Sequence, residues 1–125
     1  KNTMSDHLGI RFIEIGDNFL KATMPVNEYT KQPLGILHGG ANVVLAETIA
    51  STAANAVLDI DNFYCVGLEI NANHVRSVRE GLITGTAVAL HLGRTTQVWQ
   101  ITIQNEEGKD TCISRMTAAV ISRKK

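Results

Sequence analysis

The strongest constraint on this chain is residues 41–58, Ala-Asn-Val-Val-Leu-Ala-Glu-Thr-Ile-Ala-Ser-Thr-Ala-Ala-Asn-Ala-Val-Leu, which hold no proline and one charged side chain, Glu47. Rich in alanine and ended by the turn signal Asp59-Ile60-Asp61-Asn62, the segment reads as a helix from about Gly39 to Leu58. It is apolar on almost every side, so other structure has to surround it. A carboxylate inside such a helix is costly unless it is paired, hydrogen-bonded or held at a cleft that solvent reaches. No Lys or Arg lies within the helix to pair with Glu47, which makes it a candidate for chemistry.

Elsewhere the apolar residues recur with period two. Residues 9–15 and 18–26 read as short strands joined by Gly16-Asp17-Asn18, with Leu20, Ala22 and Met24 on one face, and a polar loop runs from Asn27 to Leu37. Beyond the helix, residues 63–76, 81–91, 96–104 and 111–121 read as four more strands. In the first of these, Val66, Leu68, Ile70 and Ala72 share a face that continues into His74 and Arg76. Arg79-Glu80-Gly81, Leu92-Gly93-Arg94 and Asn105-Glu106-Glu107-Gly108 read as hairpin signals.

One long helix among six strands has few ways of burying both partners. The expected class is α+β, a central helix wrapped by a curved antiparallel sheet of about six strands in a single domain over residues 1–125. Such a sheet leaves edge strands and uncovered helix surface that a second copy can cover, so a homodimer is expected.

The formal net charge is zero with no block of like charge, which points away from nucleic acid. The start, Lys1-Asn-Thr-Met-Ser-Asp6, lacks a signal-peptide pattern. Residues 41–58 interleave Asn42, Glu47, Thr48, Ser51, Thr52 and Asn55, which suits a buried helix better than a membrane span. A cytoplasmic protein is expected. Cys65 and Cys112 have no CxxC spacing and read as core thiols in strands, with a disulfide left open. The four histidines are scattered and nothing stands at ligand spacing from His38, so no metal site is expected.

Gln32, His38-Gly39-Gly40 and Glu47 are followed by Leu68-Glu-Ile-Asn-Ala-Asn-His-Val-Arg76 and Leu90-His-Leu-Gly-Arg-Thr95. With the element order strand, strand, His-Gly-Gly loop, long helix, four strands, the chain resembles the hotdog fold over essentially its whole length. Its motif is similar to that of the acyl-CoA thioesterases of the PaaI-like and 4-hydroxybenzoyl-CoA (Arthrobacter-type) branch. The later segments are similar to the members of that branch that act on 1,4-dihydroxy-2-naphthoyl-CoA or proofread enterobactin synthesis. The resemblance implies hydrolysis of an acyl-CoA, an aryl-CoA such as 1,4-dihydroxy-2-naphthoyl-CoA by preference, in menaquinone biosynthesis. Coenzyme A would be part of the substrate, with no separate cofactor. The resemblance also implies a site straddling a dimer interface, with dimers pairing into a dimer of dimers.

A thioester carbonyl needs a nucleophile or activated water on one side and hydrogen-bond donors for the developing oxyanion on the other. Gly39 and Gly40 open the helix, where backbone N–H groups lack intrahelical partners and a missing side chain lets a carbonyl approach; Gly39 N–H is the candidate donor. By the resemblance Glu47 attacks the thioester or activates water. Ser51, four residues on, can share its face and orient the carboxylate or its water. Gln32 and His38 can hydrogen-bond the acyl group, the thioester oxygen or the attacking water. His74 and Arg76, with Asn73 and Val75 beside them, are candidates to grip the phosphates of the carrier. So are Leu92, Gly93, Arg94 and Thr95, with Val66 and Gly40 as further contacts and Arg79 as a possible addition.

Two other uses of such a fold compete. A dehydratase would pair a helix carboxylate with a His, but the chain lacks the Phe-Pro-Gly-rich signature of acyl-carrier dehydratases. A sensor would bind acyl-CoA without turning it over, and the intact Glu47, His38 and glycines argue against that.

Overall fold

The computed structural model describes residues 3–124. In chain order these form α1 (Met4–Leu8), β1 (Arg11–Ile15), β2 (Phe19–Val26), α2 (Gly39–Ala56), β3 (Phe63–His74), β4 (Gly81–Leu92), β5 (Thr96–Gln104) and β6 (Asp110–Ser122). The strands make one antiparallel sheet in the order β1-β2-β4-β5-β6-β3, with α2 against its concave face. The long helix and six strands are those expected from the sequence.

Alternation explains the packing. Leu20, Ala22, Met24 and Val26 of β2 are buried toward α2, as are Trp99, Ile101 and Ile103 of β5 and Met116 and Ala118 of β6. They meet Leu45, Ala46, Ile49, Ala50, Ala53 and Ala54, whose small side chains let α2 sit close to the sheet. Gly85 completes the fit: a Cβ there would stand 2.5 Å from Ile49 Cδ1. The Trp99 indole N–H donates to Gln97 Oε1 at 2.7 Å, and Gln97 Nε2 donates to the Ala54 carbonyl at 3.3 Å, so the buried polar pair is satisfied.

Four local features differ from the sequence expectation. Residues 4–8 form a helical turn that no periodicity announced, capped by Thr3 Oγ1, which accepts Asp6 N–H, and by Gly9 at φ 79. The first strand therefore starts at Arg11 rather than at residue 9. Arg79-Glu80-Gly81 is no hairpin: β3 and β4 are not neighbours, and residues 75–80 cross from the sheet edge to its middle. A bulge between Gly67 and Glu69 shifts the phase of β3, so Cys65, Gly67, Ile70, Ala72 and His74 share the concave face while Val66 lies on the convex one. As expected of a single curved sheet, α2 keeps an uncovered outer side, where Gly40, Glu47, Thr52 and Ala56 are exposed.

The two sheet edges are unlike. β1 is short, bulged between Phe12 and Glu14, and carries Arg11 and Glu14. β3 spans 12 residues and exposes Phe63, Val66 and Leu68, a long edge with an unpaired row of backbone groups.

Candidate active site

α2 begins at two glycines, and each leaves room for one histidine. His38 is the N-cap, with Nδ1 accepting the Gly40 N–H at 2.7 Å. A ring nitrogen that accepts carries no proton, so Nε2 of the exposed His38 is the donor. A Cβ on Gly40 would lie 3.0 Å from His38 Nδ1, and one on Gly39 would lie 3.1 Å from His74 Nε2. The cap consumes the Gly40 N–H, whereas the Gly39 N–H makes no hydrogen bond among the described residues.

Gln32, Gly39, Asn42, His74, Val75 and Arg76 line one cleft of about 410 Å³. Gln32 Oε1 accepts the Leu34 N–H, which fixes the amide and leaves its NH2 as a donor. Asn42, one turn after Gly39, is only 4% exposed; its Nδ2 donates to His74 Nδ1 at 3.2 Å while its Oδ1 is buried with no partner among the described residues. A buried acceptor left unpaired costs about 1–3 kcal/mol, so the residue is not there for stability alone. The sequence reading missed Asn42; the available signal was an amide one turn after a glycine in an otherwise apolar helix face.

Glu47 and Ser51 line a second cleft of about 440 Å³, together with Val44 and Thr48 of α2 and Met4 and Ser5 of α1. In one chain Glu47 is exposed rather than buried. Its carboxylate lies over β3, where a Cβ on Gly67 would stand 3.3 Å from Oε2. The Ser51 hydroxyl faces Met116 Sδ at 3.8 Å and not the carboxylate. Gly39 and Glu47 stand eight positions apart on one helix, which is about 12 Å of axial rise. A single chain therefore does not bring Gln32, His38 and Gly39 together with Glu47 and Ser51.

The expected carrier contacts also divide. His74, Val75 and Arg76 reach the Gly39 cleft, although the strand ends at His74 and the Arg76 N–H donates to the Thr111 carbonyl. Leu92, Gly93, Arg94 and Thr95 sit at the far end of the sheet, where Thr96 is in register with Ala119 and Ala119 with Val66. From Val66 to His74 β3 rises about 26 Å. The Gly93 N–H is not free for a phosphate: it donates to the Thr96 carbonyl at 2.8 Å and closes the turn. Val66 and Asn73 face the convex side, Asn73 in a shallow cleft of about 260 Å³ with Asn71, Gln100 and Arg115.

A model of the thioesterase superfamily matches residues 34–112. The chain belongs to that superfamily. It is 54% identical over 121 residues to the 1,4-dihydroxy-2-naphthoyl-CoA hydrolase of Escherichia coli, covering 97% of this chain and 88% of the relative. It is 46% identical over 119 residues to the proofreading thioesterase EntH of Cronobacter sakazakii, covering 95% and 86%. A crystal structure of a mutant of thioesterase PA1618 from Pseudomonas aeruginosa superposes with a TM-score of 0.95 at 51% identity, covering 97% of this chain and 87% of that one. The hotdog fold and the status of a thioester hydrolase follow.

In this thioesterase both cysteines are free thiols at opposite ends of the β3–β6 pair. Burial pushes each thiol above its usual range, and for Cys112 a backbone hydrogen bond involving Asn73 offsets part of the rise. No group of three or more His, Cys, Asp or Glu among the described residues is placed to hold a metal ion, and no described helix is long and apolar enough to cross a membrane.

Proposed function

We propose that this thioesterase hydrolyses an acyl-CoA to the free acid and coenzyme A at a site shared by two copies of the chain. The observation that carries the reading is the division of one helix between two clefts: an unpaired Gly39 N–H with Gln32 and His74 at its start, and Glu47 with Ser51 about 12 Å further along. Antiparallel pairing of the long β3 edge with its copy would bring the His74 end of one strand against the Val66 end of the other. Because Gly39 sits at His74 and Glu47 over Gly67, the same pairing would bring the Gly39 cleft of one protomer toward Glu47 of its partner. It would also bring Arg76 of one protomer toward Arg94 and Thr95 of the other, joining the divided grip on the carrier's phosphates. The exposed Leu82, Val88, Leu90 and Ile113 on the convex face support pairing of such dimers into a tetramer.

In this site the thioester oxygen accepts from Gly39 N–H, and the Gln32 NH2 and His38 Nε2–H hold the acyl group or the water. Glu47 of the partner either takes a proton from water as the water adds to the carbonyl or adds to it directly to give an anhydride that water then opens. In both routes the C–S bond breaks, the sulfur leaves as CoA thiolate and acquires a proton, and the acid is released. Ser51 lines the same cleft as Glu47 and would bond the water by turning its hydroxyl away from Met116 Sδ. Water and a carboxylate suffice, so no cofactor is called for. Support for an aryl acyl group, and for a place in menaquinone biosynthesis, comes from the relatives, since neither cleft is lined by Phe, Tyr or Trp. Two free thiols accord with a reducing cytoplasm.

Release of CoA from a panel of aryl and aliphatic acyl-CoAs tests the reading. Hydrolysis that falls at least about a hundredfold in Glu47→Ala supports it; equal turnover in Glu47→Ala and the unmodified protein would sink it.

A further inference from the structure

The Asn42 amide is buried on the helix, bonded at one end to His74 and without a partner at the other among the described residues. An amide nitrogen can only donate, so His74 Nδ1 is the acceptor and the ring proton sits on Nε2. That nitrogen lies against the open side of Gly39, 3.1 Å from where a Cβ would be, in the cleft that also holds Gln32. His74 is thus held as a donor directed at the place where the unpaired Gly39 N–H begins the helix. His38 is fixed in the same tautomer by a backbone N–H, so a side chain does for His74 what the main chain does for His38.

We infer that Asn42 is a positioning residue: it holds the His74 imidazole as the Nε2–H tautomer, which gives the cleft a further hydrogen-bond donor beside Gly39 N–H and the Gln32 NH2. Resting on the hydrolase reading above, this goes beyond it by assigning His74 to the acyl carbonyl rather than to the carrier's phosphates. Asn42 lies on the same helix face as Gly39, one turn deeper, and β3 ends at His74, so the two elements meet at this pair. A half-satisfied amide retained in an alanine-rich face is what a positioning role requires, since a leucine there would pack without an orphaned acceptor.

The test is a two-bond proton–nitrogen NMR spectrum of the His74 ring in the unmodified protein and in Asn42→Leu, with kinetics on whichever acyl-CoA is turned over. The expected spectrum has Nε2 protonated in the unmodified protein and a mixture of tautomers in Asn42→Leu. In kinetics, Asn42→Leu lowers kcat about tenfold with KM within about twofold. His74→Ala loses at least as much, and adding Asn42→Leu to His74→Ala lowers kcat no further. An Nδ1-protonated His74 in the unmodified protein, or losses that multiply in the double variant, overturns the inference. If Asn42→Leu does not fold, Asn42→Ala is read by the same spectra and rates. The spectra need no substrate, so a protein that hydrolysed nothing would refute the functional reading while the tautomer still decided the role of Asn42.

Discussion

A shared site makes a prediction about mixtures that a site within one chain cannot mimic. Take Gln32→Ala and Glu47→Ala as two impaired parents, one damaged in each cleft. In a heterodimer of the two, one site receives both lesions and the other receives none. Random assortment from equal amounts makes about half of the dimers mixed, each with one intact site of two, so activity should rise to about a quarter of the unmodified level. The converse mixture has the opposite signature: a Gln32→Ala/Glu47→Ala double variant paired with an unmodified chain damages both sites, so those heterodimers should be nearly inactive. If each chain carried its own complete site, the first mixture would stay at the sum of its parents, and the second would keep half its activity in every heterodimer.

The geometry sets the size of the effect. Gly39 and Glu47 are about 12 Å apart along the helix, whereas an oxyanion donor and the attacking oxygen must both lie about 3 Å from one carbonyl group. No side-chain rotation spans the difference. The assay is CoA release by co-expressed chains without selection for either parent, with the heterodimer fraction measured by native mass spectrometry; heterodimers isolated through two different tags should reach about half of the unmodified level. Activity fixed at the parental sum in verified heterodimers would refute the shared site and, with it, the β3 pairing that motivates it.

Three further outcomes follow from particular contacts. Gly67→Ala places a Cβ 3.3 Å from Glu47 Oε2; the carboxylate is the part free to move, so kcat should fall about tenfold, with the thermal midpoint unchanged by calorimetry. Gln97→Leu strips the partner from the fully buried Trp99 N–H and from one bond to the Ala54 carbonyl; urea unfolding followed by Trp fluorescence should show a loss of about 1–3 kcal/mol. Because burial raises both thiols, the folded protein should react with a thiol reagent more slowly than the unfolded chain at neutral pH, and faster as pH rises past the ordinary thiol range. Rapid labelling of both cysteines at neutral pH in the folded protein would contradict that.

The helix and the strands were readable because each buries one face, and burial writes its period into the sequence. What escaped was whatever has no period. The helical turn at residues 4–8 is too short to repeat a 3.6-residue pattern, although its caps, Thr3 and Gly9, were there to be seen. A glycine turn at Gly81 looks the same before a hairpin and before a crossover, since only the sheet order distinguishes them. The bulge in β3 reversed the side assigned to Val66, because strict alternation was carried through a position where one residue is inserted. For the site, the chemistry of Gln32, His38, Gly39 and Glu47 was legible as residue types in order. Their separation into two clefts was not, because a motif close in sequence suggests closeness in space that an eight-residue stretch of helix denies.

The glycines around the two clefts have a purpose distinct from those in the turns. Gly9, Gly35, Gly81 and Gly108 have positive φ and serve the backbone. Gly39, Gly40 and Gly67 do not, and each stands where a Cβ would come within 3.0–3.3 Å of His74, His38 or Glu47 respectively. They provide space rather than conformation. None of the three has a positive φ, so alanine is compatible with the backbone at each, and alanine is the better helix former at Gly39 and Gly40. Their presence therefore runs against local stability at three points, and each point touches a polar side chain of the kind a hydrolase uses. A stretch that gives up helix propensity twice in succession, at Gly39 and Gly40, is better explained by the two imidazoles it accommodates than by any demand of the turn itself.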